Sequence, residues 1–369
     1  MRQYDYLIIG AGLTGAVIAH EARRRGRSVL VVERRGHIAG NCYTESMNGI
    51  MVHRYGAHIF HTDDEEVWRY INKFGTMNAF IYSPMAVYNG MAYSMPFNLN
   101  TFSQIYREYD RSKIKEYIDI DSAMYRGVEA LSLEQRAIQL VGNRVYQMLI
   151  KGYTEKQWGR KCSEIPAYII DRLPVRLEYN SNYFNDKYQG MPEKGYTALI
   201  EKMLSGVEVM LNTDYKSIMS EVSGKNIVYS GAIDEYYNYC FGRLEYRSLR
   251  FEDEWFDTEY KQGCAVLNYT SSEVPYTRTI EHKYFLRDKA DCTLVTKEYP
   301  VEHVDNTTEP YYPIGLQKNR ELYDMYLQKS KQEGGIDFVG RLGLYKYMDM
   351  DDCIRLALDY VKRKMDEQA

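Results

Sequence analysis

The feature that most constrains the fold lies near the N-terminus, where a short apolar run meets a glycine-rich turn. Residues 4–9 (YDYLII) are typical of a buried parallel strand, and residues 10–15 read GAGLTG. Residues 13–25 predict a helix that ends at Gly26, and residues 28–33 predict a second buried strand. Strand, turn, helix and strand form a right-handed βαβ unit, which requires a parallel sheet covered by helices.

The glycine spacing gives this turn a specific chemistry. Gly10, Gly12 and Gly15 stand at the positions that allow a tight turn, a close approach of the backbone to a pyrophosphate, and close helix–strand packing. Glu33 ends the second strand, where a carboxylate accepts hydrogen bonds from an adenosine ribose. The pattern predicts a dinucleotide site, but the glycines alone do not distinguish NAD from FAD.

Two other features favour FAD. Residues 34–41 (RRGHIAGN) are similar to the second glycine turn of two-dinucleotide-domain flavoproteins. Gly340-Arg341, followed by an acidic helix start at Asp349, is similar to their late flavin-contacting motif. No second fingerprint occurs in the sequence, so no separate nicotinamide domain is predicted.

Composition and charge argue against several classes of function. The formal net charge is −4 and no basic stripe occurs, so we expect no nucleic-acid partner. The six cysteines show neither a CxxC pair nor metal-ligand spacing, which argues against a disulfide framework, a redox dithiol and a metal site. Without a signal-peptide pattern or an apolar run of about 18 residues, we expect a cytoplasmic protein with no membrane span.

The remaining pattern predicts a discontinuous α/β protein, in which a helical insert and an antiparallel β-sheet domain interrupt a Rossmann-like FAD-binding domain. We assign the FAD-binding domain to residues 1–78, 194–235 and 334–369. The helical domain is assigned to residues 101–172, and the antiparallel substrate domain to residues 79–100, 173–193 and 236–333.

Local signals predict where single elements begin and end. Thr62 with Glu65 predicts a capping box before a helix, and Asn89-Gly90 predicts a hairpin turn. Residues 151–193 are rich in Gly, Pro and aromatic residues and are predicted to be loops. Further predictions are helices starting near Ser132, Thr197 and Asp349, and strands at 207–211, 265–269, 278–285, 293–299 and 336–341.

Longer motifs carry a specific resemblance to a known family. The motifs are HRYGAHIFH at 53–61, KGYTEKQWGR at 151–160, NYF at 182–184, VPYTR at 274–278, EPYYP at 309–313, GR at 340–341 and YKY at 345–347. In this order, and over essentially the whole chain, the sequence closely resembles the bacterial UDP-galactopyranose mutases.

The resemblance implies a flavoenzyme that interconverts UDP-galactopyranose and UDP-galactofuranose, requiring reduced FAD although the reaction has no net redox change. In this family, flavin N5 attacks the anomeric carbon and expels UDP; the sugar–flavin adduct opens and recloses through another hydroxyl, and UDP returns. The resemblance further implies a homodimer that supplies galactofuranose for cell-surface polysaccharides.

The resemblance also assigns residues to the substrate. Arg278 and Arg172 are the expected diphosphate-binding arginines, Arg172 lies in a mobile lid at 160–176, and His61 joins them as a catalytic residue near the flavin ring. Tyr312 and Tyr347 are expected to donate to the diphosphate, and Tyr153 and Phe184 to stack on uracil. The substrate-binding set is Tyr82, Tyr153, Trp158, Arg172, Tyr183, Phe184, Asn268, Arg278, Tyr312 and Tyr347.

A second set is assigned to the cofactor, partly from the glycine turn and partly from the resemblance. It comprises Gly10, Gly12, Thr14, Gly15, Glu33, Arg34, Asn41, His58, Ile59, Asp214, Tyr215, Arg341, Met348, Asp349, Met350, Asp351, Asp352 and Cys353.

Two positions depart from the family pattern. Tyr82 stands where the family commonly has an asparagine that contacts substrate, and a phenol cannot reproduce the paired donor and acceptor of an amide. Ala39 replaces the first glycine of the second turn, a change expected to matter little if its φ is negative.

Two alternatives from other classes remain open. A flavin oxidoreductase related to amine oxidases would share the FAD domain but would reduce its flavin with substrate, and it offers no obvious place for the paired arginines. A catalytically inactive UDP-sugar-binding relative is the second alternative, and the change at Tyr82 keeps it open.

Overall fold

The computed structural model describes residues 1–171, 173–304 and 307–366. The strands in these ranges are β1 Arg2–Ile9, β2 Val29–Val32, β3 Thr44–Met47, β4 Ile50–His53, β5 Phe60–Thr62, β6 Met85–Tyr88, β7 Met91–Ser94, β8 Tyr188–Gly190, β9 Glu208–Met210, β10 Val222–Tyr229, β11 Tyr246–Phe256, β12 Val266–Tyr269, β13 Arg278–Glu281, β14 Thr293–Glu302, β15 Tyr312–Pro313 and β16 Ile336–Phe338. The helices are α1 Leu13–Arg24, α2 Glu65–Ile71, α3 Leu99–Tyr106, α4 Arg111–Asp121, α5 Leu133–Val145, α6 Lys151–Trp158, α7 Gly195–Met203, α8 Tyr215–Ile218, α9 Ile233–Tyr236, α10 Lys283–Leu286, α11 Gln317–Glu333, α12 Gly340–Gly343 and α13 Met350–Val361.

A five-stranded parallel sheet with the order β16-β10-β1-β2-β9 carries the predicted βαβ unit. Alternate side chains of its central strands are buried on opposite faces: Ile8 and Val31 pack with α1 and α13, whereas Leu7 and Leu30 pack toward Ile218. This double coverage explains why β1 and β2 read as continuous apolar runs.

The glycine turn has the geometry that its spacing predicts. Gly10 has φ of +107°, a region that residues with a Cβ rarely adopt. A Cβ on Gly15 would lie 2.1 Å from the carbonyl oxygen of Gly10, so only glycine lets α1 pack this closely against the turn.

A seven-stranded sheet with the order β15-β11-β14-β13-β12-β6-β7 forms the second layer. Its pairs are antiparallel except for the parallel pair β12–β6. Helices α3 to α5 form a separate apolar core around Phe102, Ile114 and Val141. The predicted α/β class, with both parallel and antiparallel sheets, is confirmed, whereas the division into three domains stays a prediction.

The predicted capping box at Thr62 and Glu65 is wrong. Strand β5 includes Thr62, and Asp64 is the N-cap of α2, accepting hydrogen bonds from the amides of Glu66 and Val67. The Thr62 hydroxyl instead accepts a hydrogen bond from the Asp64 amide. An aspartate two residues further along is the better cap, since its carboxylate can accept two amides at once.

The prediction of loops over 151–193 is wrong at its beginning, where residues 151–158 form α6. The glycine content that suggested a loop reflects close packing: a Cβ on Gly152 would lie 2.3 Å from the carbonyl oxygen of Thr270. The segment at 269–276, which contains Thr270, also binds the side chain of Lys156. The Lys156 ammonium lies within 3.0 Å of four backbone carbonyl oxygens of this segment, those of Tyr269, Ser271, Val274 and Tyr276.

Other boundaries also differ from prediction. The strand predicted over 278–285 ends at Glu281 and is followed by the short helix α10. Helix α7 begins at Gly195, and the Thr197 hydroxyl bonds to the Thr44 carbonyl 2.6 Å away rather than capping the helix. The hairpin at Asn89-Gly90 is confirmed, with φ of +49° and +75° at its two turn residues. Across the described residues, no helix has the length and apolar composition needed to cross a bilayer.

Ala39 does not keep a negative φ. Its φ is +74°, and its buried amide donates to the Ala11 carbonyl 2.9 Å away, which fixes the second turn against the first. The condition under which alanine is expected to matter little is therefore not met, and a Cβ in the left-handed region costs about 1–2 kcal/mol.

We predict that Ala39→Gly leaves the free energy of unfolding unchanged or raises it, because relief of this strain offsets the lost methyl group and the added freedom of the unfolded chain. The same substitution at Ala198, partly exposed within α7, has no strain to relieve and should lower stability by about 1 kcal/mol. Urea unfolding of both variants measures the difference. An equal loss in the two variants would contradict the strain argument.

Candidate functional site

A cavity of about 820 Å³ joins the carboxyl ends of the parallel strands to the seven-stranded sheet. Its walls include Gly10, Glu33 and Ser230 at the ends of β1, β2 and β10, and Asn268 and Arg278 on β12 and β13. Ligand sites of α/β proteins lie at this edge of the sheet.

Nearly all predicted site residues that the structure describes line this cavity. They are Gly10, Gly12, Thr14, Gly15, Glu33, Arg34, Asn41, His58, Ile59, His61, Tyr82, Tyr153, Trp158, Tyr183, Phe184, Asp214, Tyr215, Asn268, Arg278, Tyr312, Arg341, Tyr347, Met348, Asp349, Met350 and Cys353. Asp351 and Asp352 do not line it, and Arg172 lies outside the described residues.

The dinucleotide end is built from backbone. Helix α1 begins after Gly12, and no side chain in the described ranges caps its first amides, which stay available to an anion. A Cβ on Gly40 would lie 3.1 Å from the Gly12 Cα, so the two glycine turns pack directly on each other. Both features fit a pyrophosphate held at the start of α1.

The Glu33 carboxylate is held in place from both sides. It accepts hydrogen bonds from the Ala11 amide and the Arg35 amide, each 2.9 Å long. A carboxylate has about four acceptor positions, so two remain for ribose hydroxyls. This geometry fits the ribose-binding role predicted for Glu33.

Beyond Glu33 the cavity is lined by charged and aromatic side chains. Arg34 lies 2.9 Å from Glu309 and 3.3 Å from Glu235, so its charge is balanced within the protein. Asp214 caps α8, and the ring of Tyr215 stacks on Tyr236 with centroids 6.0 Å apart. The Tyr215 ring, which lines the cavity, can cover one face of a purine.

The start of α13 closes the middle of the cavity. Asp349 is its N-cap, as predicted, and the Asp352 carboxylate accepts a hydrogen bond from the Asp349 amide at 3.2 Å. The capping role of Asp352 explains why it does not reach the cavity, although it stands within a predicted cofactor motif.

Two histidines lie on the turn and strand that follow β4. His58 Nδ1 is 2.8 Å from the Gly56 carbonyl oxygen, so Nδ1 carries the hydrogen and Nε2 is a free acceptor. Burial lowers the pKa of His58 to about 4, which keeps it neutral at pH 7. His61 Nδ1 lies 3.1 Å from Asp186, and its ring stacks on Phe184 with centroids 3.7 Å apart.

A buried ion pair crosses the sheet beside these histidines. Arg278 and Glu298 stand directly opposite each other in the β13–β14 pairing. Arg278 Nε lies 2.9 Å from Glu298 Oε1, but the angle between the two groups does not allow a hydrogen bond. Burial opposes the Arg278 charge, but Glu298 keeps the pKa of Arg278 well above its usual value. A Cβ on Gly56 would lie 3.2 Å from the other Glu298 oxygen. The Glu298 carboxylate therefore also packs against the turn at 54–59, called the histidine turn because it carries His58.

The phenols of Tyr153, Tyr312 and Tyr82 lie close enough to Arg278 to influence its charge. Arg278 Nη2 donates to the Tyr153 hydroxyl at 3.1 Å. The rings of Tyr312 and Tyr347 stack with centroids 6.1 Å apart, and the Arg341 guanidinium lies 6.0 Å from the Tyr312 ring. Burial raises the pKa of Tyr312, so its hydroxyl stays a hydrogen-bond donor at neutral pH. Cationic and phenolic donors that converge on one point are suited to a phosphate group.

Tyr82, Tyr183 and Phe184 form another part of the cavity wall. The Tyr82 ring lies 5.2 Å from Tyr183 and 5.7 Å from Phe184, centroid to centroid. Phe184 thus contacts Tyr82 and His61, and these contacts place it beside the histidine turn.

Several cavity residues are not among the sequence predictions, notably Glu298, Gln157, Thr213 and Ser230. The signal for Glu298 is its opposite charge directly across from Arg278, which becomes visible only when the two strands are paired. Among the described residues, no group of three His, Cys, Asp or Glu side chains could hold a metal ion.

Known proteins are similar to this chain over most of its length. The model of the UDP-galactopyranose mutase family matches residues 148–347, and that of an NAD(P)-binding Rossmann-like domain matches residues 8–74. A probable UDP-galactopyranose mutase of Klebsiella pneumoniae is 40% identical over 365 residues, which cover 97% of this chain and 94% of the relative.

A second relative and a solved structure are also similar. A dTDP-fucopyranose mutase of Escherichia coli is 40% identical over 364 residues, covering 96% of each chain. The crystal structure of a reduced UDP-galactopyranose mutase matches with a TM-score of 0.78 over 99% of this chain and 96% of that one. At 12% identity the structural match supports the fold alone.

The buried, neutral His58 should make stability depend on pH. Its pKa of about 4 lies below the value of about 6.5 in an unfolded chain. Between these values only the unfolded state gains the proton, so stability is lost as the pH falls from 6.5 toward 4. His58→Asn should reduce the loss between pH 7 and pH 5 by about 2 kcal/mol, measured by urea unfolding. An unchanged pH dependence would contradict this assignment.

Proposed function

The chain belongs to the UDP-galactopyranose mutase family, and from this premise we propose that it interconverts UDP-galactopyranose and UDP-galactofuranose on bound, reduced FAD. The observation that carries the proposal is the buried Arg278, which lines the same cavity as the two glycine turns and Glu33. A nucleotide sugar and a cofactor bound to these residues would therefore lie in the same cavity.

The residues present fit FAD. The uncapped start of α1 and the two packed glycine turns would hold the pyrophosphate, and Glu33 the adenosine ribose. Arg341 and the first turn of α13 would border the flavin ring. When bound and reduced, the flavin supplies a nucleophile for the anomeric carbon, so the sugar ring changes size without net oxidation.

Arg278 is proposed to hold the diphosphate as it leaves and until it returns. Its Nε faces Glu298, so the two Nη nitrogens remain for phosphate oxygens and the Tyr153 hydroxyl. Tyr312 and Tyr347, stacked beside it, would donate further hydrogen bonds. A fixed positive charge in a buried site stabilises a departing diphosphate more than water does.

His61 is proposed to move the proton that ring opening and reclosure require. When the ring contracts, the hydroxyl that becomes part of the new ring loses a proton, and the former ring oxygen gains one. An imidazole oriented by a carboxylate can carry this proton. Asp186 at Nδ1 orients His61, and the stacked Phe184 ring limits its rotation. The neutral His58, with Nε2 free, would accept a hydrogen bond from a bound hydroxyl.

Further parts of the proposal follow from the family. The product would supply galactofuranose for cell-surface glycans, and the enzyme would act in the cytoplasm as a homodimer. Arg172, which lies outside the described residues, would provide a second phosphate contact.

The test is product analysis under anaerobic conditions. UDP-galactofuranose is incubated with the purified holoprotein, with and without dithionite, and the nucleotide sugars are separated by anion-exchange chromatography. We expect UDP-galactopyranose only with the reduced protein. Substrate-dependent bleaching of oxidised flavin, without isomer, would instead support the oxidoreductase alternative, and no reaction in either state would contradict the proposal.

The same assay tests Arg278. Arg278→Ala should reduce turnover by more than about 100-fold while FAD stays bound, since loss of an electrostatic donor to a developing charge has this size. Arg250→Ala on β11 is the matched control, because Arg250 is exposed and pairs with Glu252. Near-normal turnover of Arg278→Ala would overturn the phosphate assignment.

A further inference from the structure

The wall formed by Tyr82, Tyr183 and Phe184 bears on which sugar the site accepts. Tyr82 is only 7% exposed, and its ring packs against the other two rings of the wall. Burial raises the pKa of Tyr82 while the charge of Arg278 opposes this effect, which shows that the phenol lies near that arginine. The wall therefore extends from the proposed phosphate contact to His61, which stacks on Phe184.

The wall is anchored to the backbone. The Tyr82 amide donates to the Gln189 side-chain oxygen at 3.2 Å, and the Tyr183 amide donates to the Tyr82 carbonyl at 2.8 Å. Gln189 is itself held by the Asn182 side chain at 2.8 Å. These bonds hold the main chain at both ends of the wall and so oppose its withdrawal from a larger sugar.

The sugar would lie between Arg278 and the start of α13, where the flavin ring is proposed to bind. In that position one side of the sugar would face this wall. The three ring faces offer dispersion and apolar contact, and the hydrogen-bonding groups of these side chains are confined to the hydroxyls at the tips of Tyr82 and Tyr183. A hydroxyl buried there without a partner loses its bonds to water and gains none. The hydroxyl that closes the furanose ring must stay free to react, whereas the C6 hydroxyl takes no part in the chemistry.

The comparisons indicate which substituent can change. The dTDP-fucopyranose mutase is as similar to this chain as the probable UDP-galactopyranose mutase, at 40% identity for each. Fucose is galactose with a methyl group in place of the C6 hydroxymethyl. Within this family, loss of the C6 oxygen is therefore compatible with the reaction.

We propose that the Tyr82, Tyr183 and Phe184 wall selects a nucleotide-linked 6-deoxyhexose, whose C6 methyl packs on the Tyr82 ring, over its 6-hydroxylated counterpart. The inference rests on the proposed function and specifies its sugar. Tyr82 is the residue that sets the preference, because its ring fills space that a shorter polar side chain would leave to a hydroxymethyl group.

The test compares UDP-fucopyranose with UDP-galactopyranose, which differ only at C6, so that the nucleotide does not contribute to the difference. Turnover of each is measured with the dithionite-reduced holoprotein. We expect kcat/KM to favour the 6-deoxy sugar by about 10–100-fold, the range by which an apolar pocket rejects an added hydroxyl. Equal rates, or a preference for galactose, would overturn the inference and leave the mutase function standing.

Variants at Tyr82 assign the preference to its ring. Tyr82→Asn should shift the ratio toward galactose by at least about 10-fold, because a smaller side chain with a donor and an acceptor admits the hydroxymethyl group. Tyr82→Phe keeps the ring and should keep the preference for the methyl group. An unchanged ratio in Tyr82→Asn, with flavin bound, would overturn the role of Tyr82.

The ratio of the two kcat/KM values is measured on the wild-type protein, so it tests the inference even if a variant does not fold. Turnover of neither sugar by the reduced wild-type protein would contradict the proposed function, and this inference with it. Turnover of both sugars without discrimination at C6 would contradict the inference alone.

Discussion

The buried ion pair between Arg278 and Glu298 is the interaction on which the site depends. Removing two charges from water costs several kcal/mol for each, and only a close, well-packed pair offsets this. Here the pair is built into the β13–β14 register and lies against Gly56. Arg278 thereby keeps its positive charge at the wall of the cavity, beside Tyr153 and Tyr312.

The cavity beside this pair joins the two halves of the fold. The parallel sheet supplies the dinucleotide turns, the seven-stranded sheet supplies Arg278, and the turn after β4 carries His58 between them. Each sheet alone provides only part of the cavity wall. The cavity thus belongs to the whole chain.

Local parts of this architecture could be predicted from sequence because they depend on local sterics and patterning. Gly10, Gly15 and Asn89-Gly90 specify turns through φ and close packing, and the start of α13 follows from Asp349. Features set by distant partners could not be predicted. Gly152 suggested a loop because its contact with Thr270 is invisible in sequence, and the positive φ of Ala39 depends on the neighbouring turn. The candidate site was found through long motifs, whereas Glu298 appears only once strand register is known.

The central claim is that the bond between the anomeric carbon and the diphosphate breaks, and that Arg278 retains the diphosphate until it returns. The most direct measurement uses UDP-galactose labelled with oxygen-18 in that bond, with phosphorus NMR reporting the label position after incubation with the reduced protein. Once released, the labelled oxygen becomes equivalent to the other terminal oxygens of the diphosphate, so the account predicts scrambling into non-bridging positions. Isomer formed with the label still wholly in the bridging position would contradict the account.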